Sequence, residues 1–79
     1  MFNNWMEIFC QLVLVRVALM IIDIQLRSYE FLYNDLEDMH WYIEPLHEVL
    51  TQLYAFQRTV EDHNTYLSYV LGVDANWRN

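Results

Sequence analysis

The sequence predicts an all-α fold: an antiparallel αα-hairpin of two long helices in a single domain over residues 1–79. Three observations carry this. Ile8, Leu12, Val15, Leu19, Ile22, Leu26, Tyr29, Tyr33, Leu36 and His40 follow one another at alternating steps of four and three. That spacing keeps side chains on one stripe of a helix. A second such series runs Leu46, Val49, Leu53, Phe56, Val60, His63, Leu67, Val70. Pro45, the only proline, separates the two, and the only glycine, Gly72, follows the second.

Helix one is expected over about 5–41. Asn4 and Glu7 stand three apart, as in a capping box with Asn replacing Ser or Thr. At 100° per residue, Arg16, Asp23, Arg27, Glu30, Asn34, Glu37 and Asp38 share a side. They read as a solvated face, with Asp23–Arg27 and Arg27–Glu30 pairs each stabilising by roughly 0.2–0.5 kcal/mol. The residue before a proline avoids the α region, which sets the break at 42–44. Pro45 suits the first turn of helix two, expected over 45–71, because its missing N–H costs nothing there. Gly72 fits a left-handed cap. Residues 72–79 form a polar tail with one large anchor, Trp77. The segment Glu61–Thr65 is poor in helix formers, but the heptad frame runs through it, so helix two is expected to continue.

Folding back at 41–44 brings together residues whose numbers sum to about 86, such as Leu36 with Leu50 and Leu19 with Leu67. His63 falls on the seam in this frame, as a polar residue setting register. Tyr29, Tyr33, Tyr54, Phe56 and Tyr66 read as seam packing with hydroxyls at the rim.

Helix one is apolar well beyond one seam. Phe9, Val13, Val17, Met20 and Ile24 make a second stripe, and Leu14, Ala18 and Ile21 a third. With 56% hydrophobic residues in 79, a lone hairpin cannot hide its own apolar surface. The expectation is a four-helix bundle, completed by dimerisation or by docking on a partner protein. The candidate contact residues are Trp5, Phe9, Val13, Val17, Met20, Ile24, Trp41 and Trp77.

A net charge of −7, from eleven acids against Arg16, Arg27, Arg58 and Arg78, disfavours nucleic acid as a partner. Cys10 is the only cysteine, so no internal disulfide forms; it is expected to pack as a small hydrophobe. The run Ile8–Ile22 resembles a membrane segment, but Arg16 would sit near its centre, at roughly 2.5–3.5 kcal/mol. No basic residues precede it, unlike a signal peptide. A soluble protein of the reducing cytoplasm is expected, and a membrane-associated subunit is the less favoured reading.

Catalysis finds no support: Ser28 and Ser68 have no neighbouring base, and no glycine-rich loop exists. No cofactor is expected. Glu44 and His47 make a Glu-x-x-His pair of the kind that binds metal in ferritin-like bundles, with His40 nearby. Pro45 lies inside that pair, which favours capping and loop roles for these residues over a metal site. Small size, acidity and the lack of lysine suit an accessory or inhibitory factor, such as viruses encode.

Overall fold

The computed structural model describes residues 4–78. Two helices, α1 (Asn4–Asp38) and α2 (Glu44–Leu71), pack antiparallel in a molecule 54 Å long. α1 is already helical at Asn4, the first described residue, and Glu7 lies in its first turn, where a carboxylate complements the helix dipole. α2 runs without interruption through Glu61–Thr65. Its threonines Thr51, Thr59 and Thr65 each return their hydroxyl to the carbonyl four residues back.

Both helices end in the same way. At α2, Gly72 has φ 73, its N–H donates to Tyr69 O, and the Val73 N–H donates to Ser68 O. This is a Schellman motif on the expected glycine. At α1 the same pair of bonds runs from His40 N–H to Glu37 O and from Trp41 N–H to Leu36 O. Here the left-handed residue is His40, with φ 58. The helix therefore stops at Asp38 rather than 41. Ile43 caps α2 without a side-chain bond, and Glu44 already belongs to the helix, with Pro45 in its first turn.

The earlier stop shifts the register. Residue numbers sum to 80 for Arg16–Asn64, Asp23–Gln57 and Tyr33–His47, and to 84 for Arg16–Ser68 and Glu30–Tyr54. The expected value of 86 placed the centre of the turn near residue 43. Ending α1 at Asp38 moves that centre toward residue 41.

In α1 the buried line is Leu12, Leu19, Ile22 and Leu26, four members of the first heptad series. Ile22, Leu26 and Leu50 form the core cluster, with Tyr33, Leu53 and Val60 packed on it. Each buried leucine stabilises by roughly 1.5–3 kcal/mol relative to exposure. In α2 the seam is rotated from the expected stripe. Leu46, Leu53, Val60 and Leu67 are shared, but Leu50, Gln57, Asn64 and Leu71 alternate with them in place of Val49, Phe56, His63 and Val70. His63 is exposed and stacks on Tyr66, while Asn64 beside it is buried. Tyr54, Phe56 and Tyr66 are likewise exposed rather than seam residues, Tyr29 is at the margin, and only Tyr33 is half-buried.

Candidate functional site

Arg16 decides what the surface of the hairpin looks like. It does not belong to a solvated face; its side chain turns into the open end of the seam. Its Nε donates to Asn64 Oδ1 at 3.1 Å, and its Nη2 donates to Ser68 Oγ at 3.1 Å and to Asp74 O at 2.8 Å. Asn64 and Ser68 are 1% and 0% exposed, so these bonds meet the polar demand of groups that water does not reach. Asn64 spends its amide on Ala75 O at 3.2 Å. Every buried side-chain polar atom among the described residues has a partner.

The tail closes over this network. Past Gly72 the chain folds back, and the Arg16 and Arg78 guanidinium carbons lie 5.3 and 5.1 Å from the Trp77 ring centroid. Such contacts contribute roughly 0.5–1 kcal/mol each where exposed. Arg78 then bridges the helices, pairing with Asp23 of α1 at 2.5 Å and Glu61 of α2 at 2.8 Å. Asp23 also accepts from Gln57 Nε2 at 2.8 Å, so its partners lie across the seam rather than at Arg27. Toward the turn, the Tyr54 hydroxyl donates to the Glu30 carboxylate. That bond, with some desolvation and the negative charge itself, holds the Tyr54 proton above its usual range near 10.0.

The consequence appears on the other side of α1. Between Ile8 and Leu26 the only charged residues are Arg16 and Asp23, and both are drawn to the seam and tail. The outward surface of that stretch carries no charge over about 28 Å, at 1.5 Å per residue. It is lined by exposed apolar side chains, among them Leu14 at 68% and Ile24 at 64% exposure. This is a contiguous apolar surface rather than the scattered single apolar residues of an ordinary protein exterior.

The predicted contact residues divide into three groups. Trp5, Phe9, Val13, Val17, Met20 and Ile24 are all exposed on α1, with Trp5 stacked on Phe9 at 5.5 Å between ring centroids. Trp41 is exposed at the turn, the far end of the molecule. Trp77 is half-buried in the tail closure. Cys10, expected to pack inside, is exposed on α1 instead, because the seam passes through Leu12 and leaves position 10 on the outer side.

Of the metal candidates, His40 caps α1, Glu44 opens α2, and the His47 ring lies 6.3 Å from that of Tyr33. Glu44, with Tyr42, Pro45 and Glu48, lines a cleft at the turn. Among the described residues, no three of His, Cys, Asp and Glu gather as a metal site would require.

Sequence reasoning missed Arg16, Asn64 and Ser68 as a unit. The available signal was an arginine inside an apolar run, opposite two small polar residues four apart on the partner helix. No family model matches this chain, and no curated protein or solved structure matches it either.

Proposed function

We propose that this chain is a non-enzymatic helical interaction module. It acts by self-association, or by docking on and modulating a partner protein, through the outward surface of α1. A single observation carries the reading: the one cation within the apolar stretch is withdrawn into the seam, leaving the exposed side of the helix apolar and uncharged. Completing a four-helix bundle is the simplest way to cover such a surface. The remaining acids keep the assembly soluble.

The test is the size of the protein taken from its native cell under mild conditions. Wild type should elute well above 9.7 kDa, as an oligomer or with a stoichiometric partner. A variant with Val13, Leu14, Met20 and Ile21 all changed to Glu should elute as the bare chain with its helical circular dichroism retained. Wild type eluting alone at 9.7 kDa would contradict the proposal.

A second reading, a membrane-associated subunit, has one observation in its favour. α1 is long and apolar enough to cross a bilayer by length and composition, and only 17% of its most apolar window is buried. The latched hairpin could not cross intact, because α2 would carry Arg58, Glu61 and Asp62 into the hydrocarbon beside it. α1 would have to part from α2. Resistance to carbonate extraction from membranes would favour this reading; full recovery in the soluble fraction would exclude it.

A further inference from the structure

The hairpin has two broad faces, and the tail marks one of them. Arg78 spans Asp23 and Glu61 there, and the Glu30–Tyr54 pair lies on the same side. Advancing 100° per residue from these positions puts a different set on the reverse face. From α1 that set includes Leu14, Ile21 and Leu32; from α2 it includes Val49, Phe56 and Val70, all exposed. The α2 members are three of the four residues that the heptad pattern assigned to the seam and the structure turned away from it. The positions on this face between residues 11 and 32 of α1 and between 49 and 70 of α2 hold no acid and no arginine.

Resting on the interaction-module reading, we infer that this reverse face is the docking surface for a second copy of the chain, packed with its turn at the opposite end. Two properties select that occupant and that orientation. The first is charge. Residues 28–57 hold Glu30, Asp35, Glu37, Asp38, Glu44 and Glu48 and no arginine, so the turn half carries −6 of the total −7. The open half, with five acids against four arginines, carries −1. Two copies with their turns together would oppose −6 to −6; with turns apart, each acidic end lies beside a nearly neutral one. The uncharged face between them meets its own duplicate without a clash of like charges, as a two-fold interface requires.

The second property is area. Two helices side by side, each roughly 10–12 Å across, present a face about 20 Å wide. Over the roughly 32 Å that residues 11–32 span, that is on the order of 600 Å², most of the roughly 800 Å² per partner of a standard interface.

The test uses the purified full-length chain. Light scattering should give twice 9.7 kDa for wild type. The double variant Ile21→Glu/Phe56→Glu should fall to the single mass with its helical signal intact, since both side chains are more than half exposed in the hairpin. Val13→Glu/Met20→Glu, which adds charge toward the tail side, should keep the dimer. Orientation is read with a spin label on Cys10, the sole cysteine and an exposed one. Labelled chains mixed with isotope-labelled Cys10→Ser chains should broaden the Trp41 indole signal of the partner copy. Broadening of the Trp5 and Trp77 indoles instead would overturn the orientation.

A dimer broken by Val13→Glu/Met20→Glu but not by Ile21→Glu/Phe56→Glu would overturn the choice of face and leave the interaction module standing. A purified chain that stays at 9.7 kDa, while native material elutes with another protein, would overturn the second copy as occupant and again spare the broader reading.

Discussion

Near the turn, α1 and α2 meet through Ile22, Leu26, Leu50, Leu53 and Val60, with the Tyr33 ring packed against them. Near the open end they meet through Arg16, Asn64 and Ser68, under a tail that contributes two carbonyls and an indole. Apolar contacts stabilise without regard to direction, so the first region, whose cross-helix bonds Asp23–Gln57 and Glu30–Tyr54 are only part-buried or exposed, would tolerate neighbouring registers more readily. The second would not: a slip of one turn leaves buried Asn64 and Ser68 without the guanidinium that faces them. Apolar burial runs through both regions, from Leu12, Leu19 and Leu67 to Leu26 and Leu50, whereas the buried polar groups that fix register lie at the open end.

The largest expected effect comes from the continuous leucine line that joins the halves. Leu19 is fully buried, and Leu19→Ala should cost about 2–5 kcal/mol in chemical denaturation, from lost transfer energy and the cavity left behind. A loss below 1 kcal/mol would mean that the helices are not packed along this line.

Next comes the polar half. Arg16→Met leaves the acceptors Asn64 Oδ1 and Ser68 Oγ buried without their donor, and should cost about 1–3 kcal/mol. Replacing all three together, as Arg16→Met/Asn64→Leu/Ser68→Ala, should recover that loss, because an apolar set needs no partners. The triple variant should also show multiple or broadened amide resonances as alternative registers become populated. A triple variant as unstable as the single one, with one sharp spectrum, would show that the network supplies stability rather than register.

The smallest effect sharpens the comparison at the turn. His40 holds a left-handed backbone that costs an L-residue roughly 1–2 kcal/mol. His40→Gly should therefore raise the midpoint of thermal unfolding, by an amount equivalent to about 1 kcal/mol. No gain would mean that the chain ends α1 by some other geometry.

Much of this was legible in the residues. The first heptad series named the four buried positions of α1, and Pro45 and Gly72 placed the start and end of α2 within a residue. The seam of α2 departs from its hydropathy pattern for an identifiable reason. Apolarity favours Phe56 over Gln57 and does not separate Val70 from Leu71, but Gln57 and Asn64 face α1 because Asp23 and Arg16 wait there to bond them. A residue-by-residue hydropathy pattern has no means of seeing that two polar groups on different helices satisfy each other. Nor does it register a histidine in a left-handed cap, where glycine is the usual signal. Trp77 marks the tail in the sequence, but the tail's carbonyl contacts to Arg16 and Asn64 leave no trace in residue type.

The uncharged outward surface of α1 and the register at the open end both require that Arg16 point inward. Nuclear magnetic resonance of the Arg16 side chain tests that most directly. Inward placement gives a slowly exchanging Nε–H with cross-peaks to the Asn64 side chain, and shifted aliphatic protons over the Trp77 ring. A rapidly exchanging Nε–H with random-coil shifts and no Trp77 contacts would put a charge back on the outside of α1, and the apolar surface would no longer be continuous.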